Sequence, residues 1–116
     1  MKKDYVCSPG PGQKVKLDRF PQPFEIQPVT QAQVRGLYPQ CRRKDGTINR
    51  ERFLTELMCL SIRRPDLMDS GLQDAYGVLG ADRLLCKMLL AGEFAYLAQQ
   101  VREICGFDLQ EEKEAK

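Results

Sequence analysis

Residues 72–107 read LQDAYGVLGADRLLCKMLLAGEFAYLAQQVREICGF, and the spacing of large apolar side chains in this stretch decides the fold class. In its second half Phe94, Leu97, Val101 and Ile104 follow a 3-4-3 spacing, which places four large side chains on one helical face. Ala95 and Ala98 keep that helix slim, and Arg102 and Glu103 mark its wet side. Gly106 predicts its end, because glycine enters the left-handed conformation beyond a helix without a Cβ penalty. Phe107 then stands where it can fold back on the last turn. The segment before it, 81–90, is nearly all apolar: Leu84, Leu85, Cys86, Met88, Leu89 and Leu90 are interrupted only by Arg83 and Lys87. Those two lie one turn apart, so one narrow stripe meets water and the segment predicts the most buried helix. Gly80 fits its N-cap, Asp82 suits the first turn, and Leu79 is placed to staple onto Leu84. The break at 90–93 is short enough to predict an αα-hairpin.

Upstream, Ser70 to Tyr76 predicts a short helix capped by Asp69 or Ser70 and closed by Gly77. A longer helix is expected from Arg50 to about Ile62, capped by Asn49, with Phe53, Leu54, Leu57, Met58 and Ile62 facing the core. Arg63 and Arg64 favour its C-terminal end, and Pro65 blocks continuation. Between 41 and 47 lies a basic loop whose Asp45-Gly46 pair marks a tight turn. Thr30 and Gln33 fit a capping box for a helix through Val34 and Leu37 that ends before Pro39. Earlier still, Lys-Val-Lys-Leu and Phe-Glu-Ile-Gln alternate with period two, predicting a β-hairpin with Val15, Leu17, Phe24 and Ile26 on its buried face. Pro21, Pro23 and Pro28 confine these strands to an edge or to turns. The expectation is a mainly α, small α+β domain over residues 14–109: about five helices ending in an αα-hairpin, with an N-terminal β-hairpin. Residues 1–13 are expected to form a flexible arm and 110–116 a frayed tail.

Length and composition narrow the function. A chain of 116 residues supports one core. No apolar run approaches the ~18–20 residues a membrane span needs, and the N-terminus lacks a hydrophobic signal core, so a cytoplasmic protein is expected. Five cysteines at 7, 41, 59, 86 and 105 show no CxxC spacing, which favours free thiols over a disulfide scaffold or a zinc site. Charge is uneven: residues 1–64 hold 13 Lys/Arg against 6 Asp/Glu, or +7, and residues 65–116 hold 5 against 10, or −5. Either the halves neutralise each other on one surface, or a basic face awaits an acidic partner.

No constellation carries chemistry. Without histidine the chain lacks the commonest general base and zinc ligand. Asp66, Asp69 and Asp74 lack the regular spacing and terminal bidentate Glu of a calcium loop, and read as caps and solvated carboxylates. Gly77-Val78-Leu79-Gly80 has the GxxG spacing by which some RNA-binding domains clamp a backbone, but its central pair is apolar, so a tight interhelical corner is the better reading. The basic segments at 14–19, 42–44, 50–52 and 63–64 lack interleaved aromatics and read as solvated surface. Tyr96 lies about 200° round the helix from Phe94 and, with Tyr76, either forms an exposed aromatic surface for a partner or packs under loops with its hydroxyl wet.

The runs LQDAYGVLGADRLL, MLLAGEFAYLA and VREICGF, together with RFPQPFEIQPVT upstream, resemble the XkdN-like family of phage tail assembly chaperones. The resemblance spans about Phe20 to Phe107, and Ala91 departs from it where such sequences often carry proline. It implies a non-enzymatic, cofactor-free protein that binds the aggregation-prone tape measure protein and keeps it soluble until tail-tube subunits polymerise. The chaperone is then expected to leave, being absent from the mature particle. Major tail tube protein is a further implied partner; several copies on one client or a homo-oligomer are both open. The expected partner-binding residues are Tyr76, Val78, Leu79 and Tyr96. A small nucleic-acid-binding regulator using the basic N-terminal half is the alternative, with nucleic acid the less expected partner.

Overall fold

Two short strands near the N-terminus, β1 (Gln13–Val15) and β2 (Phe24–Ile26), pair antiparallel, with Val15 opposite Phe24 and Lys14 opposite Glu25. The computed structural model describes residues 5–106. Val15, Leu17, Phe24 and Ile26 are all buried, as the alternation predicts. The arm expected over residues 1–13 joins the domain at its end: Gln13 is already in β1, and a Cβ on Gly12 would stand 2.7 Å from the Ile26 carbonyl oxygen. Tyr5 and Val6 are exposed; the expectations for Phe107 and for 110–116 lie outside the described residues.

The hairpin is not alone. A third strand, β3 (Ile62–Arg64), pairs antiparallel with β2, giving a sheet of order β1-β2-β3. The helix expected to run to about Ile62 ends one residue earlier, and the strand that follows it was not expected. Helix α3 (Arg50–Ser61) stops because Ser61, fully buried, donates from Oγ to the Gln27 carbonyl at 2.7 Å and accepts from the Gln27 N–H through its own carbonyl at 2.9 Å. Gln27, just beyond β2 and 34 residues away, supplies hydrogen bonds that another helical turn would have supplied. Ile62 still reaches the core, as a strand residue opposite Ile26.

Six helical segments occur among the described residues. Helix α1 (Gln31–Arg35) has the expected capping box, Thr30 and Gln33 satisfying each other's backbone N–H groups. Pro39 begins rather than merely excludes helix: it lies in the first turn of α2 (Tyr38–Cys41), where its missing N–H costs nothing. Asn49 caps α3 by accepting from Arg52 N at 3.1 Å. Helix α4 (Ser70–Ala75) is capped by Asp69, α5 (Ala81–Met88) starts at Gly80, and α6 (Ala91–Ile104) ends before Gly106.

The last two helices differ from expectation in their joint. Only Leu89 and Leu90, both extended, separate them, and Ala91 and Gly92 belong to the first turn of α6. Glu93 fixes that start by accepting from the Leu90 N–H at 2.8 Å. Both helices pack on α3, and α6 also packs on β1, so the expected αα-hairpin is not confirmed. Leu84, Leu85, Leu97 and Val101 are fully buried there, around Met58 of α3. Phe94 and Ile104 are only half-buried. Cys86 and Leu90 are exposed, so the wet face of α5 is broader than its two charges suggest. Leu79, 82% exposed, does not staple onto Leu84.

Candidate partner-binding surface

The corner from Tyr76 to Gly80 is held from within by Gln73, a buried polar residue of α4. Its side-chain amide donates to the Leu67 carbonyl at 2.8 Å, its amide oxygen accepts from Gly80 N at 3.0 Å, and its backbone carbonyl accepts from Val78 N at 3.1 Å. Three loop backbone groups are thereby satisfied by one residue. Gly77 and Gly80 adopt φ of 68° and 110°, a region L side chains rarely enter, which lets the chain turn twice within four residues. The result pushes Leu79 outward while Val78 packs half-buried against the core.

Tyr76 lies half-buried at the edge of a groove of about 540 Å³ between the sheet and α4. Phe20, Phe24, Leu72, Tyr76 and Met88 form its apolar lining, with Pro21, Pro23 and Pro65 around it. Phe20 meets Phe24 edge to face, ring centroids 5.2 Å apart. On the sheet side the groove is bordered by Lys14, Glu25 and Arg64, one from each strand.

Arg19 forms a ridge at the end of this groove. Its guanidinium lies over the Phe20 ring, 4.8 Å from the centroid, and donates to the Met88 carbonyl at 2.7 Å. It also grips Glu93 with two bonds, Nε to Oε2 at 2.9 Å and Nη2 to Oε1 at 2.6 Å. That contact holds the Glu93 carboxyl below its ordinary range, with the Leu90 N–H adding to it, and raises the guanidinium of Arg19. Beyond the ridge is a shallower depression bordered by Lys16, Asp18, Arg19, Glu93 and Tyr96. Tyr96 is 48% exposed there.

The four expected residues thus occupy three settings: Tyr76 in the groove, Tyr96 across the Arg19–Glu93 ridge, Val78 and Leu79 at the corner. Phe20, Leu72 and Met88 were absent from the sequence expectation for this surface. The run Arg-Phe-Pro-Gln-Pro-Phe at 19–24 was the available signal, since two prolines beside two phenylalanines leave backbone that cannot pair and rings that must pack elsewhere.

A second apolar area flanks Leu54 on α3. On one side Tyr38 stacks on Phe53 at 5.4 Å beside Ile48 and Leu57; on the other lie Leu89, Ala91 and Phe94. Cys86 is exposed at the edge of the latter, and Cys7 is exposed on the arm. Cys41 is buried and Cys59 and Cys105 partly so; burial pushes all three thiols up, Cys59 to about 12. Among the described residues no group of three or more Cys, Asp or Glu is arranged to hold a metal ion. No helix of the described residues is long and apolar enough to cross a membrane.

A family model described as phage XkdN-like tail assembly chaperone protein matches residues 1–116, the whole chain. Among curated proteins none matches. Among solved structures, a crystal structure of the protein yqbn aligns over 84% of this chain and 87% of its own, with a TM-score of 0.75 and 21% identity. At that identity the likeness is one of fold.

Proposed function

We propose, from the premise that this chain belongs to the phage XkdN-like tail assembly chaperones, that its client is the tape measure protein. The observation that carries this reading is the family match over the entire chain, which makes phage tail assembly the setting and tail proteins the partners. In this reading the protein works in the host cytoplasm, catalyses nothing, and keeps the client soluble until tail-tube subunits enclose it.

The surface supports a holding role in physical terms. A client long enough to aggregate exposes apolar side chains, and a holder must offer apolar surface that stays accessible without collapsing its own fold. Leu79 and Tyr96 stand in solvent, while the groove at Tyr76 is lined by residues fixed by the core beneath them. Such a preformed groove suits helix-in-groove recognition. Several copies along one client would add avidity to modest single-site affinity.

Co-expression tests it. With this chain present, the soluble fraction of the cognate tape measure protein should rise, and the two should co-purify at several copies per client. The complex should persist or strengthen at high salt, because salts excluded from protein surfaces favour apolar burial. No gain in client solubility counts against the reading. Binding to duplex DNA that falls steeply with salt would move the function to a nucleic-acid regulator.

A further inference from the structure

We propose that the groove between the sheet and α4 seats an amphipathic helical segment of the client whose apolar side chains are flanked by carboxylates. This rests on the chaperone reading and names the chemistry of the bound segment.

Three observations lead there. Phe20, Phe24, Leu72, Tyr76 and Met88 give the groove, about 540 Å³ in volume, an apolar lining. The wall chemistry opposes recognition by strand addition: Pro21, Pro23 and Pro65 have no N–H to offer an incoming strand. Side chains inserted from a helix at i and i+3 or i+4 need no such donors.

The third observation is charge. Lys14, Glu25 and Arg64 follow one another across the sheet, Lys14 opposite Glu25 and Glu25 opposite Arg64, with the β2–β3 register shifting between Glu25 and Ile26. Glu25 pairs with Arg64 at 3.6 Å, both ends open to solvent, so the border holds two cations against one carboxylate. At the other end Arg19 is already committed to Glu93 and the Met88 carbonyl. Lys14 is exposed on β1 and has no ion pair among the described residues. The unbalanced charge at the rim is therefore positive and sits on the sheet side, where a carboxylate one turn from an apolar anchor would meet Lys14 and Arg64. Rim charges act mainly on partner choice and encounter rate, with the apolar lining holding the complex.

The experiment uses the full chain and two synthetic helical peptides that share leucines at i and i+4, one flanked by glutamates and the other by lysines. Wild type should bind the glutamate peptide better by about tenfold. In the Lys14→Glu/Arg64→Glu variant, whose substitutions are exposed, the preference should invert. Leu72→Ala should weaken both peptides alike. Equal binding of both peptides by wild type, or an unchanged preference in the charge-reversed variant, overturns the proposal. So does concentration-dependent self-association abolished by the same substitutions, which would assign the groove to a second copy of this chain. The charge-reversed and Leu72→Ala variants are also tested for solubilising the tape measure protein. If they match wild type there, the groove proposal fails while the chaperone reading stands; if wild type itself fails, the chaperone reading falls first.

Discussion

Replacing Gln73 isolates the device that holds the Tyr76–Gly80 corner. Gln73→Leu keeps most of the side-chain volume but removes the donor to the Leu67 carbonyl and the acceptor for Gly80 N. A buried group left without its partner costs about 1–3 kcal/mol. The Leu67 bond is buried and the Gly80 bond partly so, which gives a sum of about 2–5 kcal/mol for the pair. That is a large share of the roughly 5–15 kcal/mol that stabilises a domain of this kind. With an unfolding entropy of about 2.1 cal/mol/K per residue, the melting temperature should fall by about 8–20 °C. Circular dichroism and urea titration read both quantities. Gln73→Glu supplies a second readout. Its neutral carboxyl can donate to Leu67 and accept from Gly80, whereas the ionised form has no donor and is desolvated. The folded-state pKa should therefore lie above the unfolded one. The variant should be most stable below the ordinary glutamate range and lose stability as pH rises through the folded pKa. A Gln73→Leu protein that melts like wild type, or a Gln73→Glu protein with no added pH slope, would refute the assignment of the corner to Gln73.

Other expectations follow from the same geometry. Leu97→Ala, at a fully buried site facing α3, should cost about 2–5 kcal/mol in urea titration, whereas the exposed Leu79→Ala should be near neutral. Glu93 has its pKa lowered by Arg19, so its contribution is present above the unfolded glutamate pKa and lost as pH falls through the folded one. Glu93→Gln should accordingly narrow the stability difference from wild type as the solution is acidified; an unchanged difference would remove the ion pair from the account. All five thiols should titrate as free under denaturing, non-reducing conditions. In the folded protein Cys7 and Cys86 should react with a thiol reagent well before Cys41 and Cys59, and a mass loss from an intramolecular bridge would contradict this.

What the sequence revealed was what is decided locally. Thr30, Asn49 and Asp69 cap helices within a few residues of themselves, and the alternation of Val15, Leu17, Phe24 and Ile26 needs only its own pleat. Strand β3 was hidden because the Ser61–Gln27 exchange that ends α3 spans 34 residues, and Ile62-Arg63-Arg64 continues a helical pattern by itself. The joint of α5 and α6 was read as a break over residues 90–93; Glu93 instead starts α6 at Ala91 by accepting from the Leu90 N–H, with Arg19 holding Glu93 from 74 residues away. The groove is the least local feature, drawing on β1, β2, β3, α4 and α5 together. Tyr76 was found as an aromatic on a short helix, but its neighbours Phe20 and Met88 meet it only through the tertiary fold.

Aggregation of the purified tape measure protein, followed by light scattering after dilution from denaturant, tests the central claim most directly. Adding this chain should suppress scattering in proportion to its concentration, saturating at several copies per client and leaving a soluble complex separable by size. Scattering unchanged at saturating chain, with the chain itself folded by circular dichroism, would contradict the account.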